Sequence, residues 1–121
     1  VTYVPFNNLN ENVTGSSANY WTRTIAPYAG KVLRVGVRSD VALGTSCAID
    51  VHKITDTTDD LNSGTVAQRV TGININTAHT TVNTDFSSAA FAAGDVVNVG
   101  LSRSAGTSAK IVVVVVWEYT L

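Results

Sequence analysis

Seven consecutive residues near the C-terminus, Ile111-Val112-Val113-Val114-Val115-Val116-Trp117, constrain this chain more than any other feature. Branching at Cβ restricts side-chain rotamers in a helix and suits a pleated strand. The run is far short of the ~20 apolar residues that a membrane-spanning helix needs, so no membrane insertion is expected. As a strand it places Ile111, Val113, Val115 and Trp117 on one face and Val112, Val114 and Val116 on the other. Such a strand needs cover on both sides, and in a two-sheet domain only one face meets the domain's own core. The second face is expected to meet another subunit; the alternative is a loop at 7–19 folded across it.

The rest of the chain agrees with an all-β reading. No stretch repeats apolar residues at helical spacing. Short runs rich in Val, Ile, Thr and Tyr alternate instead with Gly, Asn, Asp and Ser. Strands are expected at 1–6, 20–26, 31–38, 47–54, 66–75, 80–86, 96–101 and 110–121. Leu33, Val35 and Val37 should face a core while Arg34 and Arg38 face water. Cys47, Ile49 and Val51 should do the same opposite Asp50 and His52. Gly72 suggests a bulge or close packing, Pro27-Tyr28-Ala29-Gly30 and Gly94-Asp95 suggest turns, and the alanines of 89–93 suggest a helical turn. The turn at 104–108 suggests a hairpin between 96–102 and 110–119. About eight strands without helices imply an antiparallel β-sandwich. The expectation is one domain over 1–121, with 1–19 as an N-terminal strand and arm.

Composition limits the function classes. Among 121 residues, 14% are charged, against about 25% in a typical globular domain. That fits a surface of Thr, Ser and Asn, or one partly buried in an oligomer. Net charge is −1, and the basic residues are scattered, whereas nucleic-acid affinity rests on clustered Lys and Arg. No nucleic-acid partner is expected. Cys47 is the sole cysteine, so no intrachain disulfide can form, and its place in a strand suggests a small buried hydrophobe. The N-terminal stretch is neither basic nor apolar, so no secretory leader is expected there. Val1 is compatible with a chain whose initiator Met has been removed, and equally with a piece of a longer one.

No catalytic, cofactor or metal constellation stands out, and an enzyme is not expected. His52 and His79 lack metal-ligand spacing, and read as surface imidazoles. No nucleophile elbow precedes a helix. Glu11 and Glu118 are the only glutamates, and no carboxylate pair suggests glycoside hydrolysis. Asp56, Asp59 and Asp60 lack the calcium-loop pattern, and Asp95 reads as a turn carboxylate bonding local backbone.

Aromatic residues have two readings. Tyr20 and Trp21 point to opposite faces of a strand, whereas Trp117 and Tyr119 share one. They suit either a sugar platform or subunit-contact anchors, where aromatics are enriched. The candidate interface residues are Val112, Val114, Val116, Trp117, Tyr119, Tyr20 and Trp21.

Two segments carry a resemblance. Ala26-Pro27-Tyr28-Ala29-Gly30-Lys31-Val32 resembles a strand-entry motif of phage virion proteins. Phe91-Ala92-Ala93-Gly94-Asp95-Val96-Val97-Asn98-Val99 resembles an entry segment of jelly-roll domains in phage fibres and head decorations, and more distantly the trimeric tumour-necrosis-factor-like fold. Together they span about a fifth of the chain. The resemblance implies a homotrimeric jelly roll on a virus particle. It would be a capsid decoration (cement) protein contacting the major capsid protein, or the receptor-binding tip of a tail or head fibre contacting a host glycan. A carbohydrate-binding module is the third reading.

Overall fold

The computed structural model describes residues 8–13, 19–20, 24–55, 64–104 and 109–120. The chain folds into nine strands: β1 (Asn8–Val13), β2 (Asn19–Tyr20), β3 (Thr24–Ile25), β4 (Gly30–Ser39), β5 (Gly44–Ile54), β6 (Thr65–Ile75), β7 (Val82–Phe91), β8 (Val96–Ser102) and β9 (Ala109–Tyr119). They form two antiparallel sheets. Sheet A has the order β1-β9-β4-β7; sheet B has the order β2-β8-β5-β6, with β3 also on β8. β2 and β3 pair with opposite ends of β8, at Gly100–Leu101 and at Val96–Val97. Counted as one interrupted edge, they make the architecture an eight-strand sandwich. Apart from β2 to β3 and β5 to β6, each strand lies in the other sheet from its predecessor, which is the winding of a jelly roll.

The core lies between the sheets. Alternation along each strand supplies it: Val35 and Val37 from β4, Ile49 and Val51 from β5, Val97, Val99 and Leu101 from β8, and Ile111, Val113, Val115 and Trp117 from β9. Cys47 is fully buried among them, its Sγ 3.4 Å from the Leu43 carbonyl, as a small hydrophobe would be.

Several local expectations are corrected. The expected hairpin between 96–102 and 110–119 does not form, because β8 pairs with β5 while β9 pairs with β1 and β4. β8 and β9 lie in different sheets, so their apolar sides meet across the core. The expected loop at 7–19 contains β1, an edge strand along β9, while the expected strand at 1–6 lies outside the described residues. The expected strand at 20–26 is divided between β2 and β3. The alanines of 89–93 form no helical turn: β7 runs through Phe91, with Ala89 and Phe91 buried, so sheet packing overrides alanine's helix preference. Leu33 is not the core residue of its stretch. A register shift between Val32 and Arg34 turns Val32 inward instead.

Irregularities in the ladders have visible compensation. Between Ile49↔Val70 and Cys47↔Ile73, β6 carries one residue more than β5, and Gly72 takes φ 69° there. This is the bulge expected at that glycine. In β7 the backbone N–H groups of Ser87 and Ser88 both donate to the Gln68 Oε1 of β6, at 3.0 and 2.7 Å. One side chain thereby ties an edge of sheet B to an edge of sheet A.

Candidate functional site

The two segments that carry the resemblance lie together at one end of the sandwich. Gly30 pairs with Phe91 and Lys31 with Ala90. The Ala26 N–H donates to the Asp95 carbonyl (2.9 Å), and the Gly94 N–H donates to the Ala26 carbonyl (2.7 Å). Gly94 at φ 88° makes the reversal, and the Asp95 carboxylate accepts the Ala92 N–H at 2.8 Å. Gly30 is required by close approach, since a Cβ there would overlap the Glu118 carbonyl. Above these turns four rings make edge-to-face or tilted contacts: Tyr28 with Tyr119, Phe91 with Trp117 and with Tyr119, and Trp117 with Tyr119.

This cluster divides the candidate aromatics. Trp117 is 2% exposed and belongs to the core, so it forms no surface platform with Tyr119. Tyr119 is half-buried. Tyr28, which the sequence reading did not single out, is 52% exposed, and Ile25 is 70% exposed nearby in the chain. Tyr20 takes a register position opposite Gly100. Trp21 lies outside the described residues.

The outer face of sheet A holds the other candidates. Val112, Val114 and Val116 point away from the core and are half-buried. The register aligns each with one residue of β4: Val116 with Arg34, Val114 with Gly36, Val112 with Arg38. Beyond β4, Gly36 pairs with Asn83 and Arg34 with Asp85 of β7. A depression of about 310 Å³ lies beside the buried Gly36, bordered by Val112, Val114, Arg38, Thr81 and Asn83, and the Asn83 Oδ1 stands only 2.8 Å from where a Cβ on residue 36 would sit. A second depression of about 240 Å³ adjoins it, sharing Arg38 and Val112 and bordered further by Asp40, His79 and Lys110. Together they form one groove with a valine floor and a polar rim.

Charge on this face is unevenly paired. Arg34 Nε donates to Asp85 at 2.6 Å and holds that carboxyl below its ordinary value of 3.8. Lys31 lies 3.6 Å from Glu118. Arg38 and Lys110 form no ion pair with a described residue. Asp40 Oδ1 accepts the Lys110 backbone N–H at 3.0 Å. His79, the one non-glycine residue with positive φ among those described (62°), donates its N–H to the Ser39 carbonyl at 2.8 Å. That bond seats His79 beside the end of β4.

Sheet B presents a different outer face. Asp50 and His52, expected on a wet face, are 2% and 5% exposed. Asn98 and Gly100, opposite them on β8, are also buried. Arg69 of β6 clasps Asp50 through two bonds of 2.5 and 2.7 Å. Burial of a carboxylate is tolerable because a guanidinium matches its two oxygens.

Among the described residues no group of three or more His, Cys, Asp or Glu side chains is placed to hold a metal. Sequence reasoning found the valine row through its lack of alternation, but missed Gly36, Arg38, His79 and Lys110. Only Gly36, a glycine at an outward position inside a strand, left a local signal. The fold is an all-β, jelly-roll-wound sandwich, and the described residues include a groove on one sheet face. No protein-family model, curated protein or solved structure matches the chain.

Proposed function

We propose that this chain is a non-enzymatic structural protein of a virus particle, a homotrimeric head-decoration protein that bridges capsid subunits. The observation that carries the proposal is the outward valine row of β9, set in the middle of sheet A beside a groove. An apolar row at that place gains free energy when a second subunit removes it from water, by about 25 cal/mol per Å². Several such contacts per trimer on one particle multiply into strong attachment without any single tight site. The virion assignment itself rests on the resemblance of 26–32 and 91–99. Their mutual packing into one turn unit explains why both occur in one chain.

Light scattering on the purified chain, followed by co-sedimentation with capsids lacking it, tests the proposal. A trimer that pellets with capsids supports it. A monomer that stays in the supernatant overturns it. The receptor-binding tip of a fibre is the second reading, favoured by half-exposed Tyr28 at the aromatic end. A saturable hit on a glycan array, lost in Tyr28→Ala, would put that reading first.

A further inference from the structure

We propose that the groove on sheet A is a docking site for an extended acidic peptide segment of a partner protein, one carboxylate lying between Arg38 and Lys110 and a small apolar side chain resting on Val112 and Val114. The inference rests on reading this face as a contact surface, and it names the chemistry of the partner.

Three observations carry it. The first is charge. Arg38, Lys110 and His79 border the same depression, all three exposed, against one carboxylate, Asp40. One Asp40 oxygen already accepts a backbone N–H, so this end of the groove favours an incoming anion. Arg38 and Lys110 are also unmatched by a described acidic group, unlike Arg34 and Lys31 on the same face.

The second is spacing. One depression spans 36–38 with 112–114 and the other spans 38–40 with 110–112, stretches of the ladder offset by two residues. Two residues of antiparallel strand span roughly 7 Å, which is also the distance between alternate side chains of any extended chain. A peptide running along β9 therefore presents one side chain to each depression, the acidic one to Arg38 and Lys110 and the apolar one to Val112 and Val114.

The third is the floor. Val112 and Val114 provide apolar contact, with the Asn83 amide over Gly36 beside them and no aromatic ring among the bordering residues. That suits an aliphatic side chain better than a sugar ring. Two cations also fall short of what a phosphate backbone demands. His79 adds a local sign of use: it holds a left-handed backbone that glycine would adopt without strain.

The test uses the full chain and an array of blocked heptapeptides of Val, Ala and Thr carrying Asp, Asn or Lys at the centre. Asp peptides should bind at least about tenfold better than their Asn counterparts, with affinity falling as salt rises. Arg38→Gln and Lys110→Gln should each reduce that binding about tenfold, while Lys53→Gln on sheet B leaves it unchanged. Equal binding of Asp and Asn peptides overturns the proposal, as does unaltered binding in both variants. N-acetylneuraminic acid binding in place of the peptides overturns it in favour of a glycan. A drop in oligomer mass in Arg38→Gln, without any peptide preference in the wild type, overturns it in favour of a second copy. Failure of the decoration reading shows separately: a monomer that ignores capsids yet selects Asp peptides retains the groove proposal and loses the homotrimer.

Discussion

The outer faces of the two sheets reverse the usual relation between polarity and burial. On sheet A, apolar Val112, Val114 and Val116 stay half-open. On sheet B, polar Asp50, His52 and Asn98 are nearly sealed from water. Both faces come from the same kind of strand, and both use arginine, but differently. Arg34 joins Asp85 at a fully wet site, whereas Arg69 clasps a carboxylate that is itself buried. A buried ion is held for its geometry, since removing one partner strands the other. A half-open valine is held loosely and suits a surface that is covered part of the time. The middle of sheet B's outer face is thus closed by polar pairing, whereas sheet A's valine row stays half-open.

The largest effect should come from Asp50→Ala. Loss of two charge-assisted bonds at a buried site should remove about 2–3 kcal/mol, seen as a lower urea midpoint. A loss below about 0.5 kcal/mol would mean the two faces do not differ as described. Gln68→Ala should follow, at about 1 kcal/mol for two exposed hydrogen bonds that water partly replaces, with faster hydrogen exchange at Ser87 and Ser88 that localises the loss to the joint between the sheets. His79→Gly should raise stability by about 1 kcal/mol, by relieving the left-handed backbone, measurable as a higher melting temperature. Val112→Thr, Val114→Thr and Val116→Thr together should change subunit stability by less than about 1 kcal/mol, while dissociating the proposed trimer in light scattering. Equal stability losses from this triple variant and from Asp50→Ala would erase the contrast.

The smallest effect concerns acid. Arg34 holds the Asp85 carboxyl below 3.8, chiefly through their hydrogen bond, so the folded state binds this proton less readily than the unfolded chain does. The pair therefore contributes fully above the ordinary aspartate range, and the contribution fades as pH falls through the depressed value. Arg34→Ala should flatten the melting-temperature decline between about pH 5 and pH 3. Added salt should mimic the variant, because both partners are exposed.

Periodicity made much of this molecule legible in advance. Alternation identified β4, β5 and β8, residue types identified β6, and an unbroken apolar run identified β9, whose two faces could be separated because alternation is a property of the strand's own geometry. Gly72 and Gly94 announced a bulge and a turn, since few other residues tolerate positive φ. β1 was not legible: Asn8-Leu9-Asn10-Glu11-Asn12-Val13 is polar, and it becomes a strand through the ladder that β9 offers it. The burial of Trp117 was open between core and surface, because the choice depends on which end of the sandwich Phe91 and Tyr28 close.

What could be read from residue order was therefore local: the all-β class, the two-faced apolar strand, the turns, and the buried thiol. Those follow from steric preferences that act within a few residues. What needed three dimensions was every relation between distant segments. Placing β9 between β1 and β4 instead of beside β8 set which valines look outward. It also brought Gly36, Arg38, His79 and Lys110 to one groove, and sealed Asp50 under Arg69. The physical reason is that sheet pairing is decided by mutual burial across the whole core, a condition no single stretch of the chain carries.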